Sequence, residues 1–177
     1  MRHWTTCVIL GVVLAGCGDS IHDLVHREDL DAAKARIAQD PAVVNARTKN
    51  GKTPLHYAVT YGQPKFIDLF VDHGADVNAA DNTGMTPLHV AATWERIEEA
   101  RRLIAFGANL EARDNFGDTP LQLAALHGKL GSLKFLAQAG AAIRTLNNAR
   151  LTPLDTARKY RRDEAVAFLE ERDDYDD

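Results

Sequence analysis

The apolar positions of this chain fall into short helical stripes that return at a fixed interval. Leu55, Ala58 and Val59 stand at i, i+3 and i+4 and predict one buried face of a short helix. Thr53 is the residue type that caps such a helix, and Pro54 suits its first position, where a missing N–H costs nothing. Gly62 ends it and Pro64 opens a second helix, with Phe66, Ile67, Phe70 and Val71 as its apolar face. Gly74 suits the left-handed position just past that helix. Residues 75–83 then read as an extended loop, with Asp81 and Asn82 favouring a tight turn. The same order recurs downstream. Ile97, Ala100, Leu103 and Ile104 form one later outer face, and Leu130, Leu133, Leu136 and Ala137 the next.

The interval is constant. Thr-Pro-Leu begins at Thr53, Thr86, Thr119 and Thr152, each 33 residues after the one before. Gly51, Gly84 and Gly117 precede the threonine by two, and Gly74, Gly107 and Gly140 follow it by 21, each with an alanine after it. The segments Gly51-Lys52-Thr53-Pro54-Leu55-His56-Tyr57-Ala58 and Gly84-Met85-Thr86-Pro87-Leu88-His89-Val90-Ala91 resemble the ankyrin repeat. The resemblance covers roughly residues 20–172. It implies an all-α solenoid of about five stacked helix-turn-helix units with hairpin-like loops, at 20–47, 48–80, 81–113, 114–146 and 147–172. One helix pair cannot bury its own apolar face, so the units must stack.

The ends depart from the pattern as caps should. Ser20 and Asp23 read as a capping box, and a second helix over Asp29 to Gln39 stops at Asp40-Pro41. In the last unit Asp155 replaces the motif histidine and Arg161 the helix-ending glycine, and the final helix is strongly charged. Residues 173–177 form an acidic tail.

Composition changes this picture in two places. The chain has 177 residues, 45% hydrophobic and 26% charged, which excludes wholesale disorder. Its net charge of −4 argues against nucleic acid as a partner, since that would require a basic face. Met1 to Gly16 carries Arg2 and no acidic residue, and its apolar run Cys7 to Leu14 is too short to span a bilayer. It reads as a secretory leader, 1–16. Leu14-Ala15-Gly16-Cys17 resembles the lipobox of bacterial lipoproteins. That resemblance implies cleavage before Cys17, its lipidation, and an anchor with a tether of only residues 17–19. The expected location is the bacterial envelope, facing the periplasm. Gly18, rather than Asp, after the cysteine favours the outer membrane by the family's sorting rule.

No catalytic constellation, phosphate loop or nucleophile motif emerges, so no enzyme activity, cofactor or metal is expected. The ankyrin resemblance gives His56 and His89 a structural role tying neighbouring turns. His22 and His26, four apart on a helix, are the alternative: a metal- or small-ligand-binding protein. The leading expectation is a non-enzymatic module, monomeric, that takes a membrane-proximal protein partner in its concave groove, as an adaptor or as an inhibitor of the immunity type. Eight residues after each Thr stand Tyr61, Trp94, His127 and Tyr160, a candidate ladder of rings along that groove. The loop tips add Lys49, Asn50, Met85, Asn115 and Phe116. Glu95 stands where the motif has Gly, which predicts an altered helix end beside Trp94.

Overall fold

The computed structural model describes residues 19–173. The leader, Cys17, Gly18 and the tail beyond Asp173 lie outside the described residues. The described residues form five helix pairs: α1 (Ile21–His26) with α2 (Leu30–Gln39), α3 (Pro54–Thr60) with α4 (Pro64–Asp72), α5 (Pro87–Trp94) with α6 (Ile97–Ala105), α7 (Pro120–His127) with α8 (Leu130–Gln138), and α9 (Pro153–Lys159) with α10 (Asp163–Asp173). A 3-10 turn, Pro41–Asn45, follows α2. No strand occurs among the described residues. Each inner helix, α1, α3, α5, α7 and α9, packs on the next, and the outer helices α4, α6, α8 and α10 stack in the same order.

Small residues set how closely the inner helices approach. Ala58, Ala91, Ala124 and Ala157 hold one register position and are all fully buried. Leu55, Leu88 and Leu121 lie beside them, also fully buried. Phe70, Leu103, Leu136 and Leu169 fill the matching outer position. The predicted stripes are therefore core, except that Val71, Ile97, Ile104 and Leu130 are only half-buried because they sit at the edge of each outer face. Asp29 caps α2 and Ser20 with Asp23 forms the expected capping box.

Polar side chains stitch one unit to the next at the same interval. In the four full motif units Thr and the residue three later close reciprocal capping boxes. His56 Nδ1 faces the Thr53 N–H at 3.1 Å, so Nδ1 is the acceptor. The ring proton then lies on Nε2, which donates to the Met85 carbonyl of the next unit at 2.9 Å. His89 repeats this with Thr86 and the Asp118 carbonyl, at 3.1 and 3.0 Å. Gln122 does the same with different atoms, accepting from the Thr119 N–H and donating to Leu151 O at 2.9 Å. Asp155 only accepts, and makes no bond to a following loop among the described residues.

Burial lowers the pKa of His56 and His89 below the ordinary 6.5. Both are neutral in the fold, whereas the unfolded chain takes up protons below 6.5. Stability should therefore be flat above pH 7 and fall as pH drops from about 6.5 toward the lowered folded-state values. Urea midpoints measured at pH 7.5 and 5.5 test this, and His56→Gln should remove part of the drop.

The loop tips stack as a second ladder. Asn82 Nδ2 donates to Lys49 O, Asn115 Nδ2 to Asn82 O and Asn148 Nδ2 to Asn115 O, at 2.9, 3.0 and 3.2 Å. Each loop closes on itself in hairpin fashion, as from Asp114 N to Asp118 O at 3.0 Å. The tip residue at Gly51, Gly84 and Gly117 is left-handed, and a Cβ there would meet the next unit's asparagine within 2.3–2.7 Å. Arg150 occupies the same register with φ of 60°. A side chain fits there because no further unit abuts it among the described residues.

Glu95 adopts the left-handed conformation expected of glycine, with φ of 56°. Its carboxylate explains why. Oε1 accepts from the Gly131 N–H at 2.7 Å and caps α8, whose own N-cap residue, Lys129, makes no side-chain cap bond. Elsewhere this seam works in reverse: Arg96 donates to Thr60 O and Arg162 to Leu126 O. Glu95→Gly should be nearly neutral, since relief of the left-handed strain offsets the lost cap. Glu95→Ala loses the cap and keeps the strain. It should destabilise by about 1 kcal/mol, read from the urea midpoint.

Candidate partner-binding groove

The inner helices and loop tips form one face. Along α3, α5, α7 and α9 two register positions reach it, seven and eight residues after the motif threonine. The last of these gives Tyr61, Trp94, His127 and Tyr160, all exposed, with Trp94 at 62%. Among the described residues no ring contact joins one of these four to the next. They stand as separate rungs rather than a continuous stack.

The first rung is occupied from within. Tyr61 meets His26 edge to face at 4.9 Å, and Tyr57 meets His22 at 5.0 Å. The two tyrosines lie 6.1 Å apart. His22 and His26 thus each turn onto a tyrosine of the next unit, which gives the i, i+4 pair a packing role. No group of three or more His, Cys, Asp or Glu able to hold a metal ion occurs among the described residues. His22 is half-buried, and that burial lowers its pKa. Tyr61 is still 40% exposed.

The tip candidates divide into two groups. Phe116 is 70% exposed, and Lys49 and Asn50 are exposed. Met85 is half-buried against the core, because its backbone is held by His56 on one side and Asp81 on the other. Asn115 is exposed but spends its amide on Asn82 O. Their shared place on the loops is legible from the repeat; their individual engagement depends on what the neighbouring unit offers.

Toward the C-terminal end the face deepens into a cleft of about 540 Å³. Phe116 and Leu151 on the tips and Leu126 and Tyr160 on the inner helices supply its apolar wall. Lys159 also lines it, and its ammonium lies 5.6 Å from the Tyr160 ring centre. Sequence reasoning followed one register position and so missed Leu126 and Lys159, which lie seven residues after Thr119 and Thr152. Reading that second position in register would have found both. Asp118, at the cleft floor, is buried and accepts from Asn147 Nδ2 at 2.7 Å. Burial raises its pKa against the opposing effect of that bond. Burial, with Arg162 and Lys129 nearby, lowers that of His127.

A family model for ankyrin repeats, in three copies, matches residues 21–114 and again 98–176. The chain belongs to the ankyrin-repeat family. Curated proteins give no match, so no relative supplies a partner for this array. Ankyrin repeats are generic protein–protein interaction modules and the family is typically non-enzymatic. No described helix is long and apolar enough to cross a membrane.

Proposed function

We propose that this ankyrin array is a lipid-anchored module of the bacterial envelope that holds one partner protein in its groove, as an adaptor or as an inhibitor of the immunity type. The observation that carries the binding role is the concentration of exposed rings on one face. Trp94, Phe116, Tyr160 and Tyr61 are four of the six large hydrophobic residues exposed among the described residues. Aromatic side chains bury much area at low entropic cost and dominate binding hot spots.

The anchor rests on the lipobox-like Leu14-Ala15-Gly16-Cys17. Lipidation with more than one acyl chain gives stable attachment. Asp19 is already paired with Arg27 of the first unit, so little free chain separates Cys17 from the array. Two residues reach roughly 7 Å at about 3.5 Å each. The array would therefore lie against the membrane and meet a membrane-proximal partner. Gly18 after the cysteine favours the outer membrane.

Cys17→Ser should leave an uncut precursor that takes up no labelled palmitate, while the wild type is cut and labelled. A labelled Cys17→Ser protein, or an unlabelled wild type, would refute the anchor. A long Gly/Ser insertion after Asp19 should keep lipidation and weaken partner engagement; unchanged engagement would refute the membrane-proximal geometry.

A further inference from the structure

We infer that the C-terminal half of the groove is an anchor pocket for an acidic segment of the partner that carries a large apolar residue. This rests on the groove reading above and adds the chemistry of what the groove takes.

The charge pattern of the face is the first argument. The chain is acidic overall, at −4, yet its loop tips expose only cations. Lys49 and Arg150 are exposed at the two ends of the tip row, and Lys52 is half-exposed. The tip carboxylates Asp81, Asp114 and Asp118 are buried. Asp81 accepts from Thr83 and Met85, and Asp114 from the Phe116 and Asp118 amides, so both are turned into their own loops. The inner helices α3, α5, α7 and α9 carry one carboxylate, Asp155, which caps Thr152. Glu95, at the end of α5, is committed to Gly131. The outer helices hold acids at Asp68, Asp72, Glu98, Glu164 and Glu170 among others. On the inner helices from α3 to α9 and along the tips, the carboxylates are thus buried or engaged in local bonds, Asp118 being the one that also lines the cleft.

The shape of the cleft is the second. Its apolar wall of Phe116, Leu126, Leu151 and Tyr160 encloses enough space for one large side chain. Lys159 stands in the cleft wall and Arg150 is exposed on the adjoining tip; neither has an ion-pair partner among the described residues. Asp118 also lines the cleft, but its side chain is buried and accepts from Asn147 Nδ2. An aromatic or branched aliphatic residue fits the cleft, and Asp or Glu beside it in sequence would meet Lys159 and Arg150. Such charge complementarity sets specificity and the rate of encounter.

A phage-displayed library of random peptides, panned on the full chain in detergent, is the probe. The expected consensus is Trp, Phe or Leu flanked by Asp or Glu. Synthetic peptides of that consensus should bind Phe116→Ala and Tyr160→Ala about tenfold more weakly, as loss of a hot-spot ring does. Phe116 is so exposed that its removal should leave the melt unchanged, which guards against a folding artefact at Tyr160. Lys159→Glu with Arg150→Glu should weaken the acidic peptides and turn the consensus toward Lys and Arg. A basic or purely polar consensus, or no enrichment, would overturn the inference. So would retention of Cys17→Ser protein on phosphatidylglycerol vesicles through Phe116 in place of peptide binding. If enriched peptides depend on Trp94 and not on Phe116 or Tyr160, the pocket falls and the groove reading stands. Dependence on none of the three would remove both.

Discussion

His89→Ala is expected to destabilise the array by about 3 kcal/mol or more, and His89→Gln by far less. The ring is fully buried and serves two units at once. Its loss leaves the Thr86 N–H and the Asp118 carbonyl without the bonds that His89 makes. A buried polar group left unsatisfied costs about 1–3 kcal/mol, and a cavity adds to this. Glutamine should restore both bonds, because Gln122 already makes the same pair of contacts one unit later. In a solenoid each unit is held chiefly by its neighbours. His89→Ala should therefore split urea unfolding into two steps, with the last two units separating from the first three. Equal midpoints for Ala and Gln would show that the stitching bonds contribute little.

Trp94→Ala combined with Phe116→Ala should abolish partner binding while moving the melt by only a few degrees. Both rings are largely exposed, at 62% and 70%, one on an inner helix and one on a tip. Truncating a hot-spot residue commonly costs 2 kcal/mol or more, so two together should weaken binding by at least about a hundredfold. Neither is a core residue, so the fold should survive. Tyr61 is the less informative third rung because it also packs on His26, and its removal would loosen the first unit. Binding that persists in the double variant would move the interface off this face.

The architecture was legible because one physical unit is written four times. A Thr-Pro cap, an apolar stripe and a terminating glycine each have a local meaning, and their common spacing forces the stacking. The left-handed Glu95 was legible as a conflict with the motif, but its reason was not. The Gly131 amide that it caps lies 36 residues away. The engagement of Tyr61 was hidden for a similar cause. Its partner His26 belongs to the first unit, which lacks the Thr-Pro-Leu frame that would place it in register. Met85 and Phe116 look alike on paper as apolar tip residues. The first is half-buried on the core and the second is exposed, because they hold different registers: Lys52, Met85, Asp118 and Leu151 are half-buried or buried, whereas Asn50, Thr83, Phe116 and Ala149 are exposed. The cleft needed two registers and two loops at once, so no single stripe announced it.

The concave face is proposed as the place where this ankyrin array meets its partner. Site-specific photo-crosslinking in living cells tests it most directly, with the photoreactive residue placed in turn at Trp94, at Phe116 and at Lys65 on outer helix α4. One and the same protein should be captured from positions 94 and 116 and not from 65. Capture from position 65 as strongly as from the groove, or from 65 alone, would contradict it.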